Sequence, residues 1–218
     1  MSNDTLSSTK RAYNLGLKAV PNFIVLSEEQ VAYYEAHLDK IPAALARGFT
    51  GPERFALLTD LGTITVPEDY RHETWLASFS EKDSKKFFYL WNDNITDANF
   101  PNPTRILKPG DKLRVKVFKQ IVSGTTTSDE RVAFLKSQKA VFTGAQGVSL
   151  VFEQKRSELP KGYWHASFDE ENRLWKDACG DHRVPFVYTR WDGSFEFRLG
   201  NFESDWDGVH LLLCFSEE

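Results

Sequence analysis

The hydrophobic pattern of the C-terminal third predicts three consecutive β-strands. Apolar runs within 183–187, 194–199 and 211–215 are separated by the turn-forming pairs Asp192-Gly193 and Gly200-Asn201. Alternation in the second run predicts Phe195, Phe197 and Leu199 on the core side and Ser194, Glu196 and Arg198 on the solvent side. The third run is continuously apolar, which is typical of a central strand covered on both faces. Phe202 and Trp206 are expected to anchor the loop before it.

The rest of the chain shows a mixed pattern of short strands and a few helices. Residues 112–118 alternate strictly and form the clearest strand, with Leu113, Val115 and Val117 inward. A capping box at 27–30 predicts a helix that runs through Leu38 and ends near Pro42. A second helix is expected over 128–139, capped by Ser128 or Asp129. Other expected strands are 55–58, 63–66, 75–79, 87–91, 149–152 and 163–168, with an Asx-rich loop over 92–103.

Two nearly identical five-residue segments, which we call the internal echo, bear on whether the chain contains a repeat. Trp75-Leu76-Ala77-Ser78-Phe79 and Trp164-His165-Ala166-Ser167-Phe168 differ at a single position. Their flanks align poorly, so we interpret the similarity as shared strand composition rather than duplication. The chain is therefore expected to hold a polar leader with a helical segment over 1–50 and one α+β domain over 51–218.

Composition excludes several classes of protein. A hydrophobic fraction of 41% with 14% aromatics, over 218 residues, indicates an ordered chain with one sizeable core or at most two small ones. The net charge is -4 and the C-terminal segment is locally acidic, so nucleic acid is not an expected partner. Neither a secretory signal nor an apolar run of about 20 residues is visible. The default location is cytoplasmic, with a virion or the cell surface left open.

Candidate catalytic chemistry is sparse. Cys179 and Cys214 lack metal-ligand spacing, and one bridge between them stays open. The five histidines are scattered, so neither a metal site nor a cofactor is expected. Trp91-Asn92-Asp93 matches a calcium-binding triplet of C-type lectins, but the sequence lacks the complementary motif. Cys179 with His182 is the remaining enzymatic alternative, and we predict no catalytic residue.

The polar residues threaded through the C-terminal strands are of the kinds found in recognition surfaces. Tyrosine and arginine supply large contacts there, and small polar residues supply adaptable hydrogen bonds. The C-terminal segment resembles the variable region of proteins diversified by diversity-generating retroelements. The resemblance rests on the stretch from Val184-Pro185 through Trp191, on Leu199-Gly200-Asn201-Phe202, on Asp205-Trp206 and on the terminal Leu-Leu-Cys-Phe run. The upstream Gly162-Tyr163-Trp164 and Trp175-Lys176-Asp177 are also similar to the frame of that family.

The resemblance implies a C-type lectin fold with a mixed or antiparallel sheet, few helices and a variable ligand-binding region over about 179–211. Its retroelement mutates template adenines in Asn codons, a change that cannot yield Trp, Met, Lys, Gln or Glu, so Glu196 is left out. The implied variable residues are Tyr188, Arg190, Ser194, Arg198, Asn201, Ser204, Asp207, Gly208, Val209 and His210. The expected function is recognition of a variable ligand, most simply a protein. The alternatives are an enzyme near Cys179 and His182, or a structural accessory protein of a virus or cell surface.

Overall fold

The chain forms two units, Met1–Glu53 and Arg54–Glu218, in a computed structural model that describes residues 28–40 and 54–218. In the first unit, α1 (Glu28–Ala36) is followed by a 3-10 turn (Leu38–Lys40). The predicted helix is therefore present, and it ends before Leu38. Its predicted cap Ser27 and its predicted end Pro42 lie outside the described residues.

The second unit contains eight strands and a small number of helices. The strands are β1 (Phe55–Thr65), β2 (Phe88–Trp91), β3 (Lys112–Gln120), β4 (Tyr163–Ala166), β5 (Trp175–Lys176), β6 (His182–Thr189), β7 (Phe195–Asn201) and β8 (His210–Glu217). The helices are α2 (Trp75–Phe79), which continues through a π-helical turn (Ser80–Ser84) into α3 (Lys85–Phe87), then α4 (Ser128–Ser137) and α5 (Gly144–Lys155). Two 3-10 turns, His72–Thr74 and Glu171–Arg173, complete the set in the described ranges.

All eight strands belong to one mixed sheet, so the fold class is α+β as expected. The order is β1-β3-β8-β4-β6-β7-β2, and β5 pairs with β6 beside this path. The β4–β8 and β2–β7 pairs are parallel, whereas the other pairs are antiparallel. The C-terminal strand β8 therefore lies in the middle of the sheet, between β3 and β4.

The sheet has an apolar core on each face. Leu211, Leu213 and Phe215 of β8 belong to the core that contains α2 and α5, while Leu212 and Cys214 belong to the core that contains α4. This alternation confirms that β8 is covered on both faces. The predicted inward residues Leu113, Val115 and Val117 of β3 are also buried, as are Phe197, Phe202 and Trp206.

Two predicted strands are wrong, because both segments are helical. Residues 75–79 form α2, and the carboxylate of Asp97 accepts hydrogen bonds from the backbone amides of Leu76 and Ala77. Residues 149–152 lie within α5, which is buried on every side over Gly144–Phe152. A helix with no solvent face has the same continuous apolar pattern as a buried strand, and this accounts for the error.

Smaller corrections concern boundaries and the internal echo. The strands expected at 55–58 and 63–66 are one strand, β1, with a register shift between Asp60 and Gly62. The cap of α4 is Thr127, which forms a capping box with Glu130, rather than Ser128 or Asp129. The two echo segments adopt different structures, since 75–79 is helical and 163–166 is a strand, which agrees with coincidence rather than duplication.

Candidate ligand-binding surface

A row of paired residues across the sheet forms the centre of the candidate surface. His210 of β8 is paired with Trp164 of β4, Trp164 with Tyr188 of β6, and Tyr188 with Glu196 of β7. Residues paired in this way share a face of the sheet. The Trp164 ring stacks on Phe186 at 4.6 Å and contacts His210 edge-on at 4.6 Å and Tyr188 at 5.7 Å. We call the region of Trp164, Tyr188, Arg190, Arg198 and His210 the Trp164 surface.

Glu196 is not the solvent-facing residue that the alternation predicts. It is buried, and its side chain forms ion pairs with both predicted arginines, Arg190 at 2.7 Å and Arg198 at 2.5 Å. The hydrogen bond to Glu196 raises the pKa of Arg190. The alternation gives the correct face of the sheet, which Glu196 shares with Tyr188 and Trp164, but the two guanidinium groups cover its carboxylate, and a buried carboxylate is retained only with such partners. Arg190 also lies over the ring of the exposed Tyr89, at 4.8 Å, which extends the surface towards β2.

The turn between β6 and β7 is the Asp-Gly turn that the sequence predicts. Asp192 accepts hydrogen bonds from the backbone amide and the hydroxyl of Ser194, and Gly193 has a positive φ of 86°. Trp191 is 74% exposed. Its ring lies against Gly162, where a Cβ would come within 2.2 Å of the indole. The turn therefore presents a large aromatic side chain next to Ser194.

The loop from Phe202 to Val209 is held to the domain by a buried arginine, Arg131 of α4. Its guanidinium donates to the backbone carbonyls of Asp207 at 3.0 Å and His210 at 2.6 Å. It also donates to Thr126 and Gln120, which lie beneath the loop. Burial lowers the pKa of Arg131 to about 10, so the group stays protonated near neutral pH. Sequence reasoning missed this residue, because an arginine in an amphipathic helix carries no signal of burial.

Further anchors of the loop involve framework groups. Thr126 and Trp206 exchange two backbone hydrogen bonds, and the Trp206 indole donates to the hydroxyl of Ser128. That hydroxyl donates in turn to the carbonyl of Phe202. Gly200 has no room for a side chain, since a Cβ there would lie 2.5 Å from the Trp206 ring. None of these anchoring groups is among the ten predicted variable residues.

The structure brings eight of the ten predicted residues to one end of the β6–β7 pair and leaves two at the other end. Asn201 is paired with Arg183, three residues along β7 from Arg198, or about 10 Å at about 3.3 Å per residue, and by alternation the two side chains lie on opposite faces of the sheet. Its side-chain amide donates to Asp181 at 2.9 Å, and its carbonyl accepts from Ser204. None of the ten is buried, but Asn201 and Ser204 are not contiguous with the Trp164 surface.

His210 and Asp207 form a local pair at the start of β8. The Asp207 carboxylate accepts from Nδ1 of His210 at 2.7 Å and from the amide of Val209 at 3.0 Å. Burial of the ring lowers the pKa of His210, against the attraction of Asp207. The imidazole contributes an aromatic edge to the Trp164 surface.

The alternative site near Cys179 has a different geometry from that of a thiol nucleophile with its base. Nδ1 of His182 lies 2.7 Å from Glu203, and among the described residues no hydrogen bond joins His182 to Cys179. Cys179 is exposed and Cys214 is buried, and both are free thiols. Burial raises the pKa of Cys214 to about 11, which makes that thiol unreactive.

Comparisons with protein-family models, with curated proteins and with solved structures gave no match. Across residues 28–40 and 54–218, none of the helices combines the length and the apolar character of a membrane span.

Proposed function

We propose that this protein is a non-enzymatic recognition protein whose Trp164 surface binds a protein ligand. In this proposal the scaffold is C-type lectin-like, and a retroelement diversifies the predicted residues by adenine mutagenesis. Trp164, with Tyr188 and the two arginines, supplies the aromatic and guanidinium anchors that dominate protein interfaces. The ligand is selected by the side chains around Trp164 rather than fixed by the fold.

The observation that carries the proposal is the way in which the 202–209 loop is held. Its anchors are the buried Arg131, the Thr126–Trp206 backbone pair and the Ser128 hydroxyl. On the loop side these contacts use main-chain carbonyls and two buried aromatic residues. Because main-chain groups are the same in every amino acid, the exposed side chains of the loop can change without loss of the anchors.

Gly208 supports the same conclusion from local geometry. The nearest atom to a Cβ built at this position is the Gln120 carbonyl oxygen at 3.8 Å, which is an ordinary contact distance. Its φ is not among the positive values found in the domain. By contrast, Gly193 has a positive φ and Gly200 is blocked by Trp206. The predicted variable glycine is thus one that accepts a side chain, while its two framework neighbours in the region do not.

The buried Glu196 limits how freely two of the predicted residues vary. Loss of both Arg190 and Arg198 would leave its carboxylate without a cationic partner and would open it to water, which destabilises the domain. We therefore expect at least one of the two positions to keep a basic residue in stable variants. The remaining near-surface positions have no such constraint.

The C-type lectin-like scaffold is supported by the path of the chain from β3 to β8. Two helices follow β3, the C-terminal strand returns between β3 and β4, and the last three strands together with the segments that join them carry the predicted residues. The enzymatic alternative has no comparable support, because His182 is directed to carboxylates rather than to the Cys179 thiol.

A display library tests the recognition function. Positions 188, 194, 208 and 209 are randomised with the codons that adenine mutagenesis of Asn codons can reach. A control library of equal size randomises the buried positions 186, 202 and 206. We expect most members of the first library to be displayed as folded protein and to yield binders against a panel of protein targets, while most control members fail to fold. Equal folding losses in the two libraries, or binders that depend on none of the randomised positions, would overturn the proposal.

Deep sequencing of the gene in its natural population tests the retroelement part separately. We expect substitutions to concentrate within 179–211, at codons of the predicted residues and at template adenines, with 112–166 as the internal control region. A substitution density that is uniform across both regions would remove diversification from the proposal and leave the binding surface to be judged by the library.

A further inference from the structure

Three potential metal ligands converge at the end of β6 opposite the Trp164 surface, although they are distant in the sequence. Glu171 lies in a 3-10 turn, His182 is the first residue of β6, and Glu203 follows the end of β7. Nδ1 of His182 lies 2.7 Å from Oε1 of Glu203 and 3.4 Å from Oε1 of Glu171. One ligand atom from each residue lies within 4.8 Å of those of the other two.

We propose that Glu171, His182 and Glu203 form a binding site for a divalent transition-metal ion of the zinc class. This site is separate from the Trp164 surface and does not rest on the proposed recognition function. The geometry requires only a small adjustment. With zinc–ligand bonds of about 2.0–2.1 Å in a tetrahedral arrangement, neighbouring ligand atoms lie about 3.3–3.4 Å apart. The His182–Glu171 separation has this value, and the His182–Glu203 hydrogen bond opens by about 0.6 Å when the metal replaces its proton.

Charge favours a cation at this point. Within the described residues, neither Glu171 nor Glu203 forms an ion pair with a lysine or arginine, and each is paired only with the His182 imidazole. The nearby Arg183 is committed to Asp177 and Asp181. Two carboxylates thus flank one imidazole, an excess of negative charge that a divalent ion would compensate.

The ligand set is held in place before any metal arrives. The backbone amide of His182 lies 3.1 and 3.2 Å from the two carboxylate oxygens of Glu203 and donates to them. The amide of Glu203 donates to the side-chain carbonyl of Asn201 at 2.8 Å. The exposed Glu171 side chain leaves the site open to solvent for further water ligands.

The donor types select the class of ion. One imidazole nitrogen with two carboxylate oxygens suits zinc and its neighbours in the first transition row, whereas calcium and magnesium favour all-oxygen sites. Bound metal would join the 171–173 turn to the first residue of β6 and to the start of the 202–209 loop. The expected consequence is a brace at the beginning of that loop, complementary to Arg131 at its end.

Zinc titration of the full chain tests the site. After chelator treatment and dialysis, isothermal calorimetry with zinc chloride should show one saturable equivalent, and cobalt should give a tetrahedral absorption band. His182→Gln, Glu203→Gln and Glu171→Gln should each weaken zinc binding at least tenfold. The matched controls His37→Gln and Glu158→Gln should bind as the parent does, and zinc should raise the melting temperature of the parent and of these controls only.

Other results would overturn the assignment. Absence of saturable binding up to about 1 mM zinc would show that the cluster is an ordinary histidine–carboxylate ion pair. Equal loss of binding in Cys179→Ser would transfer the metal to the thiol. Because Glu171 is exposed, its variant is expected to fold even if the other two do not, which keeps the test decisive. The library experiment, performed with metal-free protein, judges the recognition function independently.

Discussion

Replacement of Arg131 by methionine should destabilise the domain strongly while leaving the exposed residues of the Trp164 surface chemically unchanged. The guanidinium is fully buried and makes four hydrogen bonds, two of them to the carbonyls of Asp207 and His210. It also lies within 6 Å of the ring centres of Phe55, Phe168 and Trp206. Methionine fills much of the volume but satisfies none of the four acceptors.

The magnitude follows from two opposing effects. Each buried acceptor left without a partner costs about 1–3 kcal/mol of stability. Removal of the buried guanidinium charge offsets part of this loss, because the charge no longer has to be desolvated. We expect a net loss of about 3–5 kcal/mol in the free energy of unfolding. For a chain of this size that corresponds to a fall in melting temperature of about 6–20 °C, since 1 kcal/mol shifts it by about 2–4 °C.

Chemical denaturation of Arg131→Met, with Arg173→Met as the matched control, measures this loss. Arg173 is exposed, so its variant should stay within about 0.5 kcal/mol of the parent. Hydrogen exchange should show that the amides of the 202–209 loop lose protection first in the Arg131 variant. A loss below about 1 kcal/mol, or uniform exchange across the domain, would refute the view that this arginine holds the loop.

Three further predictions concern the same region and the core beside it. Gly208→Ala should leave the free energy of unfolding within about 0.5 kcal/mol of the parent, whereas Gly200→Ala should cost about 1–3 kcal/mol in thermal or urea melts because its Cβ meets Trp206. Replacement of both arginine partners of Glu196 by alanine should lower the free energy of unfolding at pH 7, and the additional change Glu196→Ala should recover part of the loss. Burial lowers the pKa of His165 to about 4, so the unfolded chain binds the extra proton between pH 6.5 and 4, and stability should fall by about 3 kcal/mol as pH decreases through this window. His165→Phe should remove that part of the pH dependence.

Each of these predictions has a result that contradicts it. Equal effects of alanine at the two glycines would mean that Trp206 yields easily. A double arginine variant as stable as the parent would show that Glu196 reaches solvent. For the histidine, the informative quantity is the difference between parent and variant across the pH window, because carboxylates titrate in both proteins. An unchanged pH profile would place the origin of the acid sensitivity elsewhere.

The sequence predicted the C-terminal strands well because their alternation and their turns are local properties. The Asp192-Gly193 turn and the apolar run of β8 can each be recognised within ten consecutive residues. Trp75–Phe79 and 164–168 show where local reasoning fails: nearly identical pentapeptides form a helix and a strand. The difference arises outside the pentapeptide, where the Asp97 carboxylate binds the amides of the helical copy.

In the candidate surface, too, some residues could be predicted from local sequence and others could not. The polar residue types between the strands identified most of the exposed positions, but neither Trp164 nor Glu196 could be assigned from spacing. Trp164 is adjacent to Tyr188 and His210 only through strand pairing across 24 and 46 residues, respectively. Likewise, Glu171 and Glu203 reach His182 from different turns. Their proximity arises from the fold and cannot be recognised from the local sequence.

The position of β8 has a consequence for how altered versions of the gene are filtered. Translation completes this strand only after the 179–211 segment, yet in the folded domain it lies between β3 and β4. A frameshift or stop codon anywhere in that segment deletes the middle of the sheet and exposes the apolar residues of both cores. Such a product cannot fold and is open to proteolysis. An intact reading frame from residue 179 to the end of β8 is therefore required to complete the middle of the sheet.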